Sequence, residues 1–439
     1  MPRSRRRAIV LTALGSLGDL FPVLSVARAL EKTGVECRLA LPPDNCDMAR
    51  RWGLPAVPVG PTQAEVCERL NLSPDEVAAS IFRDPSPMLN RVMIPMLPQL
   101  VAQFGELAQG AACIAGTSFA LHAPLAAERA GLPFVPLILQ PMMLLSATDG
   151  PTGRNLGPVI HSPQSRTGRA WNRFYLAIGR QVLKHRHAGP LRRVRADLDL
   201  PPHRGTPLID PGNPDVPLRL GLWSHTFAQR PADAPPELRV TGFPPAPDGD
   251  LTHDVRTWLD AGPPPLVVTL GSIAQGQGGV RFWEEAVRLA RAMGLRAVLL
   301  HGQVPVPKGD DLLPLSYAAH APLFPRAAAV IHHGGIGTTA EAVRAGRPQL
   351  VCPVGGDQPD NAARLVLLKV AATIPVRRFT AERGMAALRI LLDQFDYAHA
   401  AEVAEQVGEE DGAAVAARLL ESVARSDRPA SADPEVSKS

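Results

Sequence analysis

The stretch Ile331-His-His-Gly-Gly-Ile-Gly-Thr-Thr-Ala-Glu341, resumed at Gly355-Gly-Asp-Gln-Pro-Asp-Asn361, decides the fold. An apolar run, Val330–His332, breaks at Gly334 and Gly335. A helical pattern follows from Thr338 to Ala345, and a second apolar run covers Gln349–Cys352. Strand, glycine turn, helix and strand make one βαβ unit of a parallel sheet. In such a sheet ligands lie outside the carboxyl ends of the strands, which is where this turn falls. Its glycines let backbone approach a phosphate closely. The N–H groups of Gly337 and Thr338 point outward there, with the helix dipole behind them. The histidine pair adds a cationic or hydrogen-bonding imidazole. Glu341, one turn on, is placed to accept from ribose hydroxyls. Together these groups suit a nucleoside diphosphate.

The same pattern recurs along the chain. Ala8–Leu14, a glycine turn, a helix over Pro22–Lys32 and a strand over Val35–Ala40 form one unit. Ala112–Gly116, Ala123–Ala130 and Phe134–Leu139 form another. Leu266–Leu270, Phe282–Met293 and Ala297–Leu300 form a third, and Thr269-Leu-Gly-Ser272 closes its first strand with donors suited to a phosphate. Runs this apolar are expected of parallel strands buried on both faces. At 439 residues the chain is too long for one core, so two doubly wound α/β domains are expected. The boundaries read as 1–242, a linker over 243–262, a second domain over 263–425 and a disordered tail over 426–439.

Composition narrows the function. A net charge of +4 with no nucleic-acid-reading motif argues against DNA or RNA. Five scattered cysteines with no Cys-x-x-Cys pair fit a reducing cytoplasm without structural zinc. Arg3, Arg5, Arg6 and Arg7 precede the first apolar run, but it is short and runs into Gly15-Ser-Leu-Gly-Asp19, so a buried strand reads better than a signal peptide. No apolar stretch reaches the ~18 residues of a spanning helix. Residues 168–187 put Trp171, Phe174, Tyr175, Ile178 and Val182 on one helical face among many Arg. This is either a surface helix packed on its own domain or a basic face that meets a membrane, giving peripheral contact at its inner side.

Asp357 and Gln358, at the end of the next strand, offer a carboxylate and an amide side by side, with acceptor and donor both available for adjacent sugar hydroxyls. Asp197-Leu-Asp199 and Asp248-Gly-Asp250 sit in or beside Pro-rich loops and read as solvated charges, not a metal clamp.

From His332 to Arg364 the chain resembles the donor-binding signature of the family-1 glycosyltransferases, the UDP-glycosyltransferase superfamily. Gly15-Ser-Leu-Gly-Asp19-Leu-Phe-Pro22 and Thr241-Gly-Phe-Pro244 extend the resemblance over most of the chain. Within that family the pattern is nearest to the rhamnolipid rhamnosyltransferase branch, with the sterol and glycopeptide-antibiotic branches further off. The resemblance implies GT-B architecture, two Rossmann-like domains facing across a cleft. It implies that His333, Gly335, Gly337, Thr338 and Ser272 meet the diphosphate, Glu341 the ribose, and Asp357 and Gln358 the sugar. Tyr317 falls where relatives stack an aromatic on the base; a core tyrosine is the alternative. The histidine base of many relatives has no counterpart between Met1 and Leu100. Asp19 takes its place, near the positive end of a helix that favours the ionised form, unless it is only a helix cap.

The expected activity is metal-independent, inverting transfer of a rhamnose- or glucose-type sugar. The donor is a dTDP- or UDP-sugar co-substrate, with no other cofactor. The acceptor is a lipophilic molecule bearing a hydroxyl, bound in the first domain. Met88–Leu100 and Gln140–Ala147 either line its pocket or belong to the core. A sugar-nucleotide 2-epimerase and a non-catalytic glycosyltransferase-like partner protein are the other readings.

Overall fold

The computed structural model describes residues 8–153, 156–203, 215–246 and 249–425. Arg3–Arg7, Asp248 and the expected tail from Ser426 lie outside the described residues. Among the described residues seven strands form the first sheet: β1 (Ala8–Thr12), β2 (Cys37–Leu41), β3 (Ala56–Pro58), β4 (Ala111–Thr117), β5 (Phe134–Ile138), β6 (Arg219–Gly221) and β7 (Leu238–Val240). Six form the second: β8 (Leu266–Thr269), β9 (Ala297–Leu300), β10 (Leu312–Leu315), β11 (Ala329–His332), β12 (Gln349–Val351) and β13 (Ala371–Thr373). The orders are β3-β2-β1-β4-β5-β6-β7 and β10-β9-β8-β11-β12-β13, parallel throughout. Strand order reverses between β1 and β4 in one sheet and between β8 and β11 in the other, so each opens a crevice beyond its carboxyl edge. Every residue of β1, β4, β8 and β11 is buried, which is why these runs lack polar alternation.

Two helices start earlier than the sequence pattern suggests, and both changes bear on the site. The first spans Leu17–Thr33, with Ser16 as N-cap and Pro22 inside it. A capping box overrides the proline: Ser16 caps the first turn, and Asp19, the third helical residue, reaches back to it. Pro22 has no N–H, which leaves the Gly18 carbonyl without its i+4 donor. The second helix spans Ile336–Arg344, with Gly335 as N-cap and the first intrahelical bond from Thr339 N–H to the Gly335 carbonyl. Its unpaired N–H groups are therefore those of Ile336, Gly337 and Thr338.

The helix Gly412–Arg425 crosses back to the first domain and packs along Leu17–Thr33. Leu20, Val23 and Leu24 share one buried cluster with Ile336, Ala340 and Val343 and with Ala413, Ala416 and Leu420. An apolar core thus runs continuously between the sheets. The chain leaves the first domain at Gly242 and returns beside it at Gly412, whose N–H donates to the Phe243 carbonyl at 3.3 Å. A Cβ on Gly412 would fall 2.1 Å from the Gly242 carbonyl oxygen, so only glycine fits this crossing.

Met88–Leu100 proves to be mostly core: Leu89, Val92, Met93, Ile94, Met96, Leu97 and Leu100 are buried. The segment combines a π-helical turn (Leu89–Met93) with the start of the helix Ile94–Ala108. Met142–Leu145, beyond the carboxyl end of β5, stay half-buried, with Met143 and Leu144 packed against the core. Among the described residues no helix is long and apolar enough to cross a membrane.

Candidate active site

The glycine turn is held by its first histidine. Gly334 N–H donates to His332 Nδ1 at 3.2 Å, so that nitrogen carries a lone pair. His332 Nε2 therefore bears the proton and donates to Gln349 Oε1 at 3.1 Å. Burial pushes its pKa down to about 4. His332 is a neutral brace, not a ligand-binding group. Gly334 has φ +86°, and a Cβ there would strike Val351 and the Gln358 carbonyl.

The second histidine, His333, is buried between two glycines. A Cβ on Gly335 would lie 2.3 Å from His333 Nε2, and one on Gly271 would lie 2.4 Å from its Cε1. Burial, then the neighbouring His332 and His320, lower its pKa to about 3. Of the two alternatives, a cationic or a hydrogen-bonding imidazole, the burial leaves the second: His333 is neutral and offers a hydrogen bond. Its Nδ1 is buried without a protein partner. Ser272 is exposed at the end of β8, in the short helix Gly271–Ala274. Thr338 is buried in the first turn of its helix.

Glu341 is buried and paired with Arg344 at 2.5 Å, and Arg344 also donates to the Phe243 carbonyl at 2.9 Å. The carboxylate is thereby fixed to the interdomain crossing. Asp357 Oδ2 accepts from Asn361 Nδ2 at 2.8 Å, and the same nitrogen donates to the Gly334 carbonyl at 2.8 Å. Asn361 ties the two donor loops together. Sequence reading quoted Asn361 without giving it this task, although its i+4 spacing from Asp357 on a helix was visible. Gln358 departs from expectation. Its Oε1 accepts from Val354 N–H at 2.8 Å and Gly355 N–H at 3.3 Å, so its acceptor is consumed and only the Nε2 donor is left. Tyr317, just past β10, is 60% exposed, which removes the core alternative.

Asp19 comes from the facing domain. It is buried, and its Oδ2 accepts from the Ser16 N–H at 2.8 Å and the Ser16 hydroxyl at 3.0 Å. Burial raises its pKa to about 6, against the lowering effect of both Ser16 bonds. A Cβ on Gly337 would sit 3.9 Å from the Gly18 Cα, so the two helix N-termini meet almost backbone to backbone. Asp357 is pushed up to about 7, by burial first and also by the charge of Asp19. The charge on Asp19 thus helps to keep the proton on Asp357.

A second bridge closes the cleft. The helix Pro74–Arg83 of the first domain reaches two loops of the second: Gln277 Nε2 donates to the Asp75 carbonyl at 3.0 Å, and a Cβ on Gly355 would lie 3.0 Å from the Phe82 carbonyl. Arg364 bridges the buried Asp360 at 2.8 Å and Asp149, from the facing domain, at 3.0 Å. Thr152 N–H donates to Asp360 at 2.8 Å.

Comparison with known proteins agrees with this geometry. Residues 310–421 match the family model described as the C-terminal domain of erythromycin biosynthesis protein CIII-like proteins. The chain is 30% identical over 435 residues to vancomycin aglycone glucosyltransferase of Amycolatopsis orientalis, covering 94% of this chain and 96% of that one. It is 31% identical over 430 residues to O-mycaminosyltylonolide 6-deoxyallosyltransferase of Streptomyces fradiae, again 94% and 96% of the two chains. Among solved structures it superposes on the glycotransferase of kitacinnamycin with TM-score 0.67 at 22% identity, over 96% of this chain and 100% of that one. The spinosyn rhamnosyltransferase SpnG complexed with thymidine diphosphate gives 0.63 at 17% identity, over 94% and 100%. Likeness at that identity speaks for the fold, the two-domain GT-B arrangement.

Proposed function

The chain belongs to the glycosyltransferase family that includes vancomycin aglycone glucosyltransferase, and from that premise we propose that it moves a hexose from a thymidine or uridine diphosphate donor to a hydroxyl of a lipophilic natural product. Family membership, and not architecture, separates it from the sugar-nucleotide 2-epimerase reading and from a non-catalytic partner. The observation that carries the proposal is the meeting of Gly18 and Gly337, which sets the one buried acid of the first-domain turn against the glycine turn of the second.

In this reading the diphosphate lies on the N–H groups of Ile336, Gly337 and Thr338, with His333 and Ser272 as further donors. Asp19 takes the proton of the attacking acceptor hydroxyl, the new bond forms on the face opposite the diphosphate, and the anomeric configuration inverts. Fixed dipoles stabilise the departing diphosphate, so no metal is called on. Glu341 holds the ribose. Asp357 and the Gln358 amide donor hold the sugar, which suits rhamnose or glucose. The exposure of Tyr317 supports stacking on the base. The half-buried Met142–Leu145 supports an apolar acceptor pocket near β5.

Two measurements test this. A thermal-shift panel of dTDP-glucose, dTDP-rhamnose and UDP-glucose should single out the donor, because a ligand at about 100 times its Kd stabilises by about 2.7 kcal/mol. Asp19→Asn should keep that donor shift while transfer falls about 10²–10⁴-fold. Unchanged turnover in the folded variant removes Asp19 as base. A new sugar nucleotide formed without acceptor would favour the epimerase.

A further inference from the structure

The helix Arg166–Asp197 has 32 residues. Between 166 and 196 it carries nine Arg or Lys and no Asp or Glu. Its first half buries Gly168, Asn172 and Leu176 against the first domain. The opposite face is open: Trp171 is 44% exposed, Phe174 60%, Ile178 46% and Val182 52%. At about 100° per residue these four fall within an arc of about 80°. They make up four of the thirteen large exposed hydrophobics among the described residues, so the stripe is a concentration and not scatter. By the same count Arg186, which also donates to Ser86 Oγ at 3.0 Å, lies about 40° beyond one edge of the arc, and Arg166 and Arg173 lie about 80–100° beyond the other.

We infer that this face docks the protein on an anionic lipid bilayer. An apolar stripe flanked by cations whose long stems can reach up to headgroups suits the interface plane. The charge pattern chooses this occupant over a second copy of the chain. A two-fold dimer through this face would set two acid-free, cation-lined stripes against each other. Anionic headgroups complement the same cations. Behind the helix, Arg180 donates to the carbonyls of Leu144 at 3.4 Å and Leu145 at 3.1 Å. The docked face thus lies one layer from Met142–Leu145. The inference concerns the helix alone and holds whatever the acceptor is.

The test uses the full chain and sedimentation with vesicles. Binding is expected to phosphatidylcholine mixed with phosphatidylglycerol, to weaken with added salt, and to be absent with phosphatidylcholine alone. Phe174→Glu combined with Ile178→Glu should reduce partitioning more than tenfold. Arg173→Glu should reduce it about fivefold or more. Both variants should keep the wild-type melting temperature and the thermal shift given by thymidine diphosphate, which shows that fold and donor site are intact. The inference is overturned by no binding to the mixed vesicles at low salt, by equal binding to phosphatidylcholine alone, or by undiminished binding of the double variant. A wild-type dimer that the double variant turns into a monomer overturns it in favour of a second copy.

Discussion

The chemistry at the cleft rests on where protons sit on a few buried side chains. Asp357 has a folded pKa near 7 against an ordinary value of 3.8, so the folded state binds its proton more tightly than the unfolded state. Its contribution to stability is full below about pH 4 and is lost as pH rises towards 7. Asp357→Asn should flatten that part of the pH–stability curve. Urea midpoints at pH 5 and pH 8 check this: the wild type should lose more stability between them than the variant, and equal losses would contradict the assignment. His333 acts in the opposite sense. Its folded pKa of about 3 lies below the ordinary 6.5, so stability falls as pH drops through that window. The identity of these residues was legible in the sequence, because glycines, hydroxyls and acids at strand ends have few other uses. Their states were not. Whether an imidazole is cationic, or an amide oxygen already taken as in Gln358, depends on how the neighbours pack, such as His320 beside His333 and the Val354 N–H on Gln358.

Elements were legible where periodicity is strong and misplaced where caps decide. The fully buried strands and their parallel sense follow from apolar runs punctuated by glycine, whereas the short strands β3, β6, β7, β10 and β13, which are only partly buried, were not read from such runs. The start of the first helix did not follow either, since Pro22 looked like a first-turn residue and the capping box at Ser16 moved the boundary back to Leu17. That shift matters because it makes Asp19 part of the cap as well as part of the cleft. Ser16→Ala removes the hydroxyl bonds to Gly18 N–H at 3.1 Å and Asp19 at 3.0 Å but leaves the Ser16 N–H in place. The variant should lose about 1 kcal/mol of stability. It should also raise the pKa of Asp19 further above 6, moving the rising limb of kcat/KM to higher pH. A pH–rate profile that keeps its midpoint would separate cap from base. The half-buried Met142–Leu145 and the mostly buried 88–100 segment looked alike in sequence, both Met-, Leu- and Pro-rich. Only the packing of the Ile94–Ala108 helix under the sheet tells them apart.

At the scale of the whole molecule, the two sheets are held in register by polar and apolar ties that no local pattern announces. Arg364 is a polar one, buried between Asp360 of its own helix and Asp149 of the facing domain. Arg364→Ala would leave the buried Asp360 and the half-buried Asp149 uncompensated, which costs roughly 3–5 kcal/mol. Chemical denaturation should show that loss, and donor KM should rise because Asp360 sits on the helix that begins beside Asp357. A variant with wild-type stability would show that the pair is dispensable. The apolar tie is the helix Gly412–Arg425, whose Ala413, Ala416 and Leu420 cover Leu20, Val23 and Leu24. During synthesis the first domain emerges complete in its strands by residue 240, yet the helix that covers it is made some 170 residues later. At about 5–20 residues per second that is a wait of roughly 10–35 s. For that interval the nascent chain presents a bare leucine-rich helix face to the cell, so the ribosome-bound intermediate is the species most open to chaperone capture.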